Sequence, residues 1–324
     1  MREAIFGFIK RYDSFILTTH DPADADGLGA ELVFARVLKN MEKEFRVINA
    51  SPVPEAFWFM DPEKIIEQWD EVKHRPLLKK SALVMLDTAD EYTLGVMKDV
   101  PSGTREVFAI DHHEPKPHSA ITGLIDQSSA AASELAVEIA ASAGVPLDQN
   151  TARAAYAGIV YDTGFFAYSK TSLRTFRAAH YLAEQGANPY EVYQALCENA
   201  STGSLLLQKK VLGSLELHAG GRIAAQILRK EDLTEAGARF EDAESFANAP
   251  LRAKEIAVSI LVKESPEGKV RCSLRSKGAV NVSKIAQEFG GGGHVSAAGF
   301  RSAFGVEETL ERALAKAQQQ LEKI

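Results

Sequence analysis

The stretch SFILTTHDPADADGLGAELVFARVLKNM, residues 14–41, decides how the chain is read. After Ser14, its next five residues are apolar or β-branched without alternation, the pattern of a strand covered on both faces. From Gly27 the apolar residues recur at helical spacing. Between them lies a short loop carrying His20, Asp24 and Asp26. Similar β-rich runs follow at EFRVINA (44–50), SALVMLD (81–87) and REVFAID (105–111). Helices are predicted over 131–145, closed by Gly144, over 151–166, opening at a Thr151 N-cap, and over 172–186, closed by Gly186. Continuously apolar strands alternating with helices imply an α/β fold, a parallel sheet with helices on both faces.

After about residue 190 the style changes. Helices join two units; strands are predicted over 222–229, 254–264 and 269–277, helices over 282–289 and 307–323. These read as a smaller α/β domain with a mixed sheet. The expected division is a catalytic metal-binding domain over 1–195, a helical linker over 196–215 and a substrate-binding domain over 216–324. The last helix is amphipathic and could pack against a second copy of the chain, giving a homodimer.

With 324 residues, 45% hydrophobic and 25% charged, the chain has the balance of a globular protein large enough for two cores. Its net charge of -7 argues against nonspecific wrapping of nucleic acid. A nucleic-acid substrate should therefore be short, or held at a local basic site. The two cysteines, Cys197 and Cys272, form no Cys-x-x-Cys motif and fit a reducing compartment. The start MREAIFGFIKRYDSF carries acids and lacks a long apolar run, and no stretch approaches the ~20 apolar residues of a membrane span. The expectation is a cytoplasmic protein without membrane partners.

The chemistry is concentrated where strands end. The first strand runs into His20, Asp24 and Asp26, the third into Asp87, the fourth into Asp111, His112 and His113. In an open parallel sheet the carboxyl ends share one edge, and ligands bind in the crevice there. Imidazoles and carboxylates without a thiolate suit manganese, magnesium, iron or zinc. Asp87 could bridge two ions; pairs ~3.5–4 Å apart serve phosphoryl transfer. Alternatively, Asp24 or Asp26 could simply cap the helix that opens at Gly27. Asp162, in AGIVYDTGFF, is an acid in apolar surroundings and needs a partner, a metal or a helix-end cation. Near the end, RSKGAVNVSKIAQEFGGGGHVSAAGF places Arg275 ahead of Gly290, Gly291, Gly292, Gly293 and His294. Glycines let backbone amides approach an anion, and arginine can fork a phosphate. No Lys-Ser/Thr pair follows, so this is not a Walker loop.

THDPADADGLGA, VMLDTAD, IDHH, AGIVYDTGFF and SLRSKGAVNVSKIAQEFGGGGHVSAAGF, in this order, resemble the DHH phosphoesterase superfamily with a DHHA1 carboxyl-terminal domain. The subgroup they resemble is that of bacterial oligoribonucleases (nanoRNases) that also act as pAp phosphatases. The resemblance implies two metal ions, usually manganese: His20, Asp24 and Asp87 would hold one, and Asp26, Asp87, His112 and Asp162 the other. It implies that His113 contacts the scissile phosphate and assists the leaving group, and that Asp111 orients a histidine. Arg275, Ser276, Gly290–Gly293 and His294 would hold the substrate's terminal phosphate or base. The implied reaction is attack of a metal-bridging hydroxide on short oligoribonucleotides, giving mononucleotides, and on pAp, giving AMP. The first motif departs from the family's His-x-x-Pro-Asp-x-Asp: Pro22 stands one place early and Ala23 fills the proline position. DADG resembles the RecJ-type branch, which keeps a single-strand exonuclease open as an alternative, beside a cyclic-di-AMP or pApA phosphodiesterase.

Overall fold

The computed structural model divides the chain into two units, Met1–Asn199 and Ala200–Ile324. It describes every residue except Met1, Pro117, Ala279, His294 and Ile324, and only the backbone of Arg2.

The first unit contains α1 (Arg2–Arg11), β1 (Ser14–Thr18), α2 (Ala25–Asn40), β2 (Glu44–Asn49), β3 (Ile66–Gln68), α3 (Glu71–Leu78) and β4 (Ala82–Leu86). It continues with α4 (Val100–Gly103), β5 (Val107–Asp111), β6 (Gly123–Ile125), α5 (Ala132–Ser142), α6 (Gln149–Asp162), α7 (Leu173–Glu184) and α8 (Pro189–Cys197). Its six strands form one sheet in the order β3-β2-β1-β4-β5-β6, every pair parallel. The apolar runs are continuous because both faces are covered. In β1, Phe15 and Leu17 enter the core under α2, α5 and α6, while Ile16 enters the opposite core with Ile48, Leu78, Leu94 and Met97. In β4, Ala82, Val84 and Leu86 alternate in the same way with Leu83 and Met85. The edge strands β3 and β6, three residues each, are too short for a pattern to show in sequence. Short edges also limit pairing with other chains.

Two predicted helix bounds are corrected. The N-cap of α6 is Asp148, whose carboxylate accepts from Thr151 N at 2.9 Å, so the helix begins before Thr151. It also stops at Asp162, not Phe166: Gly164, Phe165 and Phe166 have φ of 53°, 56° and 67°, a left-handed turn that no α-helix contains.

The second unit contains α9 (Thr202–Gly213), β7 (Glu216–His218), β8 (Ile223–Leu228), α10 (Lys230–Ala236), β9 (Val258–Glu264), β10 (Val270–Ser276), α11 (Val282–Glu288), β11 (Gly292–Gly293), β12 (Ala297–Ser302) and α12 (Val306–Leu321). The sheet order is β11-β12-β10-β9-β8-β7, mixed as expected, with β8 and β9 parallel and the other pairs antiparallel. The small-residue run after the glycines opens β12, paired to β10 and β11. The apolar stripe of α12, from Val306 through Ala313 and Ala317 to Leu321, is spent on the core of its own unit, with Val282 and Ile285 of α11. Among the described residues no helix is long and apolar enough to cross a membrane.

Candidate active site

Strand order reverses between β1 and β4, and beyond the carboxyl ends of β1, β4 and β5 the predicted aspartates and histidines meet. After β1, the loop brings Asp24 to the N-cap of α2. Its Oδ1 accepts from Asp26 N at 2.9 Å and Gly27 N at 3.1 Å, while Oδ2 lies 3.6 Å from His20 Nε2. Cap and histidine partner, alternatives in sequence, are thus served by different oxygens of one carboxylate. A Cβ on Gly27 would run into the Thr19 hydroxyl, so only glycine lets α2 start this close to the strand end.

Asp26 is buried, and its carboxylate is anchored far along the chain. It accepts from Ala132 N at 2.5 Å and Ser133 N at 2.8 Å, the first amides of α5, where the helix field favours negative charge. Asp87 follows β4 with a left-handed φ of 59°, tolerable for aspartate and a place where strain collects at functional sites. Its oxygens are divided: Oδ2 lies 3.3 Å from His20 Nε2, and Oδ1 lies 3.2 Å from His112 Nε2 and 3.5 Å from His113 Nδ1. His112 Nε2 also faces Asp162 Oδ2 at 3.2 Å and Asp26 Oδ2 at 3.7 Å. Asp111 Oδ1 accepts from the backbone amides of His112 (2.7 Å) and His113 (3.1 Å) and lies 2.9 Å from His113 Nδ1. That contact turns the His113 ring so its opposite edge, Nε2, sits on a 39% exposed side chain.

Three sets of donor atoms result: His20, Asp24 and Asp87; Asp26, His112 and Asp162; and Asp87, His112 and His113. Each set spans less than 4.8 Å, wide enough for one ion. Sharing of Asp87 and His112 links them. The electrostatics are those of crowded acids needing positive charge. Burial alone would lower His20 and His112, but neighbouring carboxylates push both up to about 11, Asp24 and Asp87 acting on His20, Asp162 and Asp87 on His112. Burial, then the Asp87 and Asp162 charges, raise Asp26 well above the carboxylate range; Asp162 is raised chiefly by burial. Burial would raise Asp87 too, but His112 and His20 hold it below that range. Yet Asp87 Oδ1 and both ring nitrogens of His112 are buried without a formed hydrogen bond. Close, misaligned donors of this kind fit a divalent cation better than they fit one another.

In the second unit, Arg275 donates from Nε to Asn248 Oδ1 at 3.1 Å and from an Nη to the Leu274 carbonyl at 3.0 Å. The Ser276 hydroxyl is buried and donates to the Val280 carbonyl at 2.7 Å. Gly290 and Gly293 adopt positive φ, and Gly292–Gly293 form β11, with the Gly293 carbonyl accepting from Ser283 Oγ at 2.7 Å. His294, predicted to hold substrate, lies outside the described residues.

Two features near the cluster escaped sequence reading. Asn49, closing β2, accepts at Oδ1 from Thr19 N (3.2 Å) and Thr18 Oγ1 (3.3 Å) and donates to the buried Glu31 Oε2 at 2.9 Å. Lys170 donates from Nζ to the His112 carbonyl at 3.3 Å. The Thr18–Thr19 pair and a glutamate on an apolar helix hinted at the first; nothing local marked the second.

The parallel sheet gathers imidazoles and carboxylates at three neighbouring strand ends, and the comparisons show a hydrolase of phosphate esters. The chain belongs to the DHH family: residues 14–159 match the DHH family N-terminal domain and residues 220–323 the DHHA1 domain. The bifunctional oligoribonuclease and PAP phosphatase NrnA of Thermus thermophilus is 29% identical over 314 residues, covering 94% of this chain and 89% of that protein. The cyclic-di-AMP phosphodiesterase GdpP of Geobacillus thermodenitrificans is 27% identical, covering 90% of this chain but 45% of that longer protein. The crystal structure of an exopolyphosphatase-related protein from Bacteroides fragilis superposes with a TM-score of 0.90 at 25% identity, covering 99% of this chain and 95% of that one.

Proposed function

We propose that this protein is a manganese-dependent phosphoesterase that degrades short oligoribonucleotides to mononucleotides and removes a phosphate from pAp to leave AMP. The observation that carries the reading is the linked set of donor triads, with the oxygens of Asp87 divided between His20 on one side and His112 and His113 on the other. His20, Asp24 and Asp87 would hold one cation, and Asp26, Asp87, His112 and Asp162 a second. When bound, the cations supply a nucleophile from water at neutral pH and positive charge for the phosphate oxygens. The chain's own residues do the rest. Asp26, fixed by two amides of α5, and Asp24, fixed at the cap of α2, keep their donor atoms in place without cost at the moment of reaction. Asp111 orients His113 and presents its Nε2 edge for the scissile phosphate. As water adds to phosphorus, the bond to the ribose oxygen breaks and a proton reaches that oxygen; His113 is placed to assist this transfer. Arg275, Ser276, the Gly290–Gly293 segment and His294 would receive the substrate's terminal phosphate or base, Ser276 through its backbone because its hydroxyl is committed. The net charge of -7 and the names of these relatives support a short substrate.

The test is a product time course with manganese on pAp, a 5′-phosphorylated RNA dinucleotide, an RNA pentamer and cyclic-di-AMP. Rapid loss of dinucleotide and pentamer, with phosphate released from pAp, is expected. The similarity to a cyclic-di-AMP phosphodiesterase supports a second reading, which preference for the cyclic dinucleotide would favour. Silence on all four would reject both.

A further inference from the structure

We infer that Lys170 is a substrate-phosphate contact of the site in the first unit, a role that deepens the phosphoesterase reading and rests on it. The loop that carries this lysine starts at one residue of the donor set and returns to another. It leaves α6 at Asp162, which faces His112 Nε2, and comes back at Lys170, whose Nζ lies 3.3 Å from the His112 carbonyl.

The return is built into the chain. Phe165 N donates to Val160 O at 2.8 Å, Tyr168 N to Thr163 O at 2.9 Å, and Thr171 N to Tyr168 O at 3.0 Å. The buried Thr163 hydroxyl donates to Ile159 O at 2.6 Å and accepts from Phe166 N at 3.1 Å. Gly164, Phe165 and Phe166 are all left-handed; at Gly164 a side chain would also strike the Tyr168 ring. Two consecutive phenylalanines in this region are strained, and such strain persists only where surroundings hold it. Here Phe166 stacks on Phe176 with centroids 5.2 Å apart and meets Tyr156 edge-on. Two residues beyond Lys170, Ser172 caps α7. A loop tied at both ends gives the lysine a fixed origin.

What the ammonium does there is the second observation. Five aspartates (Asp24, Asp26, Asp87, Asp111 and Asp162) surround the histidines, yet among the described residues no carboxylate lies within 4.0 Å of Lys170 Nζ. A lysine serving only to offset those acids would pair with one. Instead a single carbonyl takes one of its three donors, and the side chain is otherwise exposed. An exposed ammonium beside a metal-ligating set, directed by a carbonyl and unspent on acids, suits the oxygens of a phosphate, which lysine binds as a point charge. The ligand class is a nucleotide phosphate, reaching the site with its ester bond against His113.

The test compares wild type with Lys170→Met and Lys170→Arg in the manganese-loaded full chain. KM and kcat for pAp and the RNA pentamer are measured across a potassium chloride series, beside melting temperature and equilibrium binding of AMP. The expected result is a KM raised about tenfold or more in K170M, partly restored in K170R, with melting temperature unchanged. The salt dependence of the pentamer KM should become shallower by about the 0.7 per phosphate contact of single strands. Unchanged KM and kcat in K170M, with wild type active, overturns the assignment while leaving the phosphoesterase reading intact. A KM rise matched by a fall in melting temperature and no change in salt slope also overturns it, reducing Lys170 to a strap on the loop. Should wild type hydrolyse none of the nucleotides, the functional reading falls, and AMP binding decides: weaker binding by K170M supports the contact, while equal or no binding overturns it.

Discussion

Replacing Glu31 by glutamine should stabilise the metal-free protein at neutral pH and remove part of its pH dependence. Glu31 lies within α2, fully buried. Burial pushes its carboxyl up to about 8, against smaller lowering effects from the Asn49 hydrogen bond and the His20 charge. Oε2 accepts from Asn49 Nδ2 at 2.9 Å, while Oε1 is buried without a hydrogen bond. The folded state therefore holds a proton that the unfolded chain releases above about pH 4.5. Stability is complete below that value, falls as pH rises towards 8, and levels off beyond. Between pH 5 and 7.5 the loss integrates to about 3 kcal/mol. Glutamine copies the neutral acid in shape and keeps its oxygen for Asn49, so it should escape this loss. Urea unfolding in EDTA, followed at pH 5, 6, 7 and 7.5, measures it; the gain at pH 7.5 corresponds to roughly 6–12 °C in melting temperature. A variant with the same pH slope as wild type over this range, or one less stable at pH 7.5, would show that Glu31 is ionised in the fold and refute the argument.

Asp87→Asn should keep the left-handed turn, which asparagine also tolerates, yet lower kcat by at least ~100-fold, with manganese affinity measured by titration falling alongside. Asp111→Asn should cost roughly 10–100-fold in kcat with little change in KM, because it weakens the hold on His113 without touching the donor triads; equal activity would deny it an orienting role. Arg174 pairs with Asp126, Glu138 and the buried Glu134, so Arg174→Met should destabilise the first unit by about 3 kcal/mol, read as a lower denaturation midpoint with kcat of the surviving folded protein unchanged. Chelation with EDTA should abolish turnover, and added manganese should restore it; turnover persisting in EDTA would contradict the metal-dependent reading.

The parallel sheet was legible because burial on both faces forbids polar residues within a strand, leaving apolar runs such as ALVML that no amphipathic helix would show. The short edges β3 and β6 left no such trace, and the left-handed end of α6 was hidden because Phe165 and Phe166, aromatics that read as a continued apolar helix face, take positive φ after the helix stops. The candidate site was legible for a related reason. Aspartates and histidines placed directly after buried strands must emerge at the same edge, whatever their separation along the chain.

From its own order, then, the sequence determined which residues could meet: strand ends are local, and their polarity is written beside the runs they terminate. Only the tertiary structure decided what each atom does. Asp24 caps a helix with one oxygen and faces His20 with the other; Asp26 is gripped by α5 more than a hundred residues away; Asp87 divides its oxygens from a left-handed turn; and a strained loop delivers Lys170 to the His112 carbonyl. These outcomes depend on side-chain direction and on hydrogen bonds between distant segments, and neither is set until the chain has closed around them.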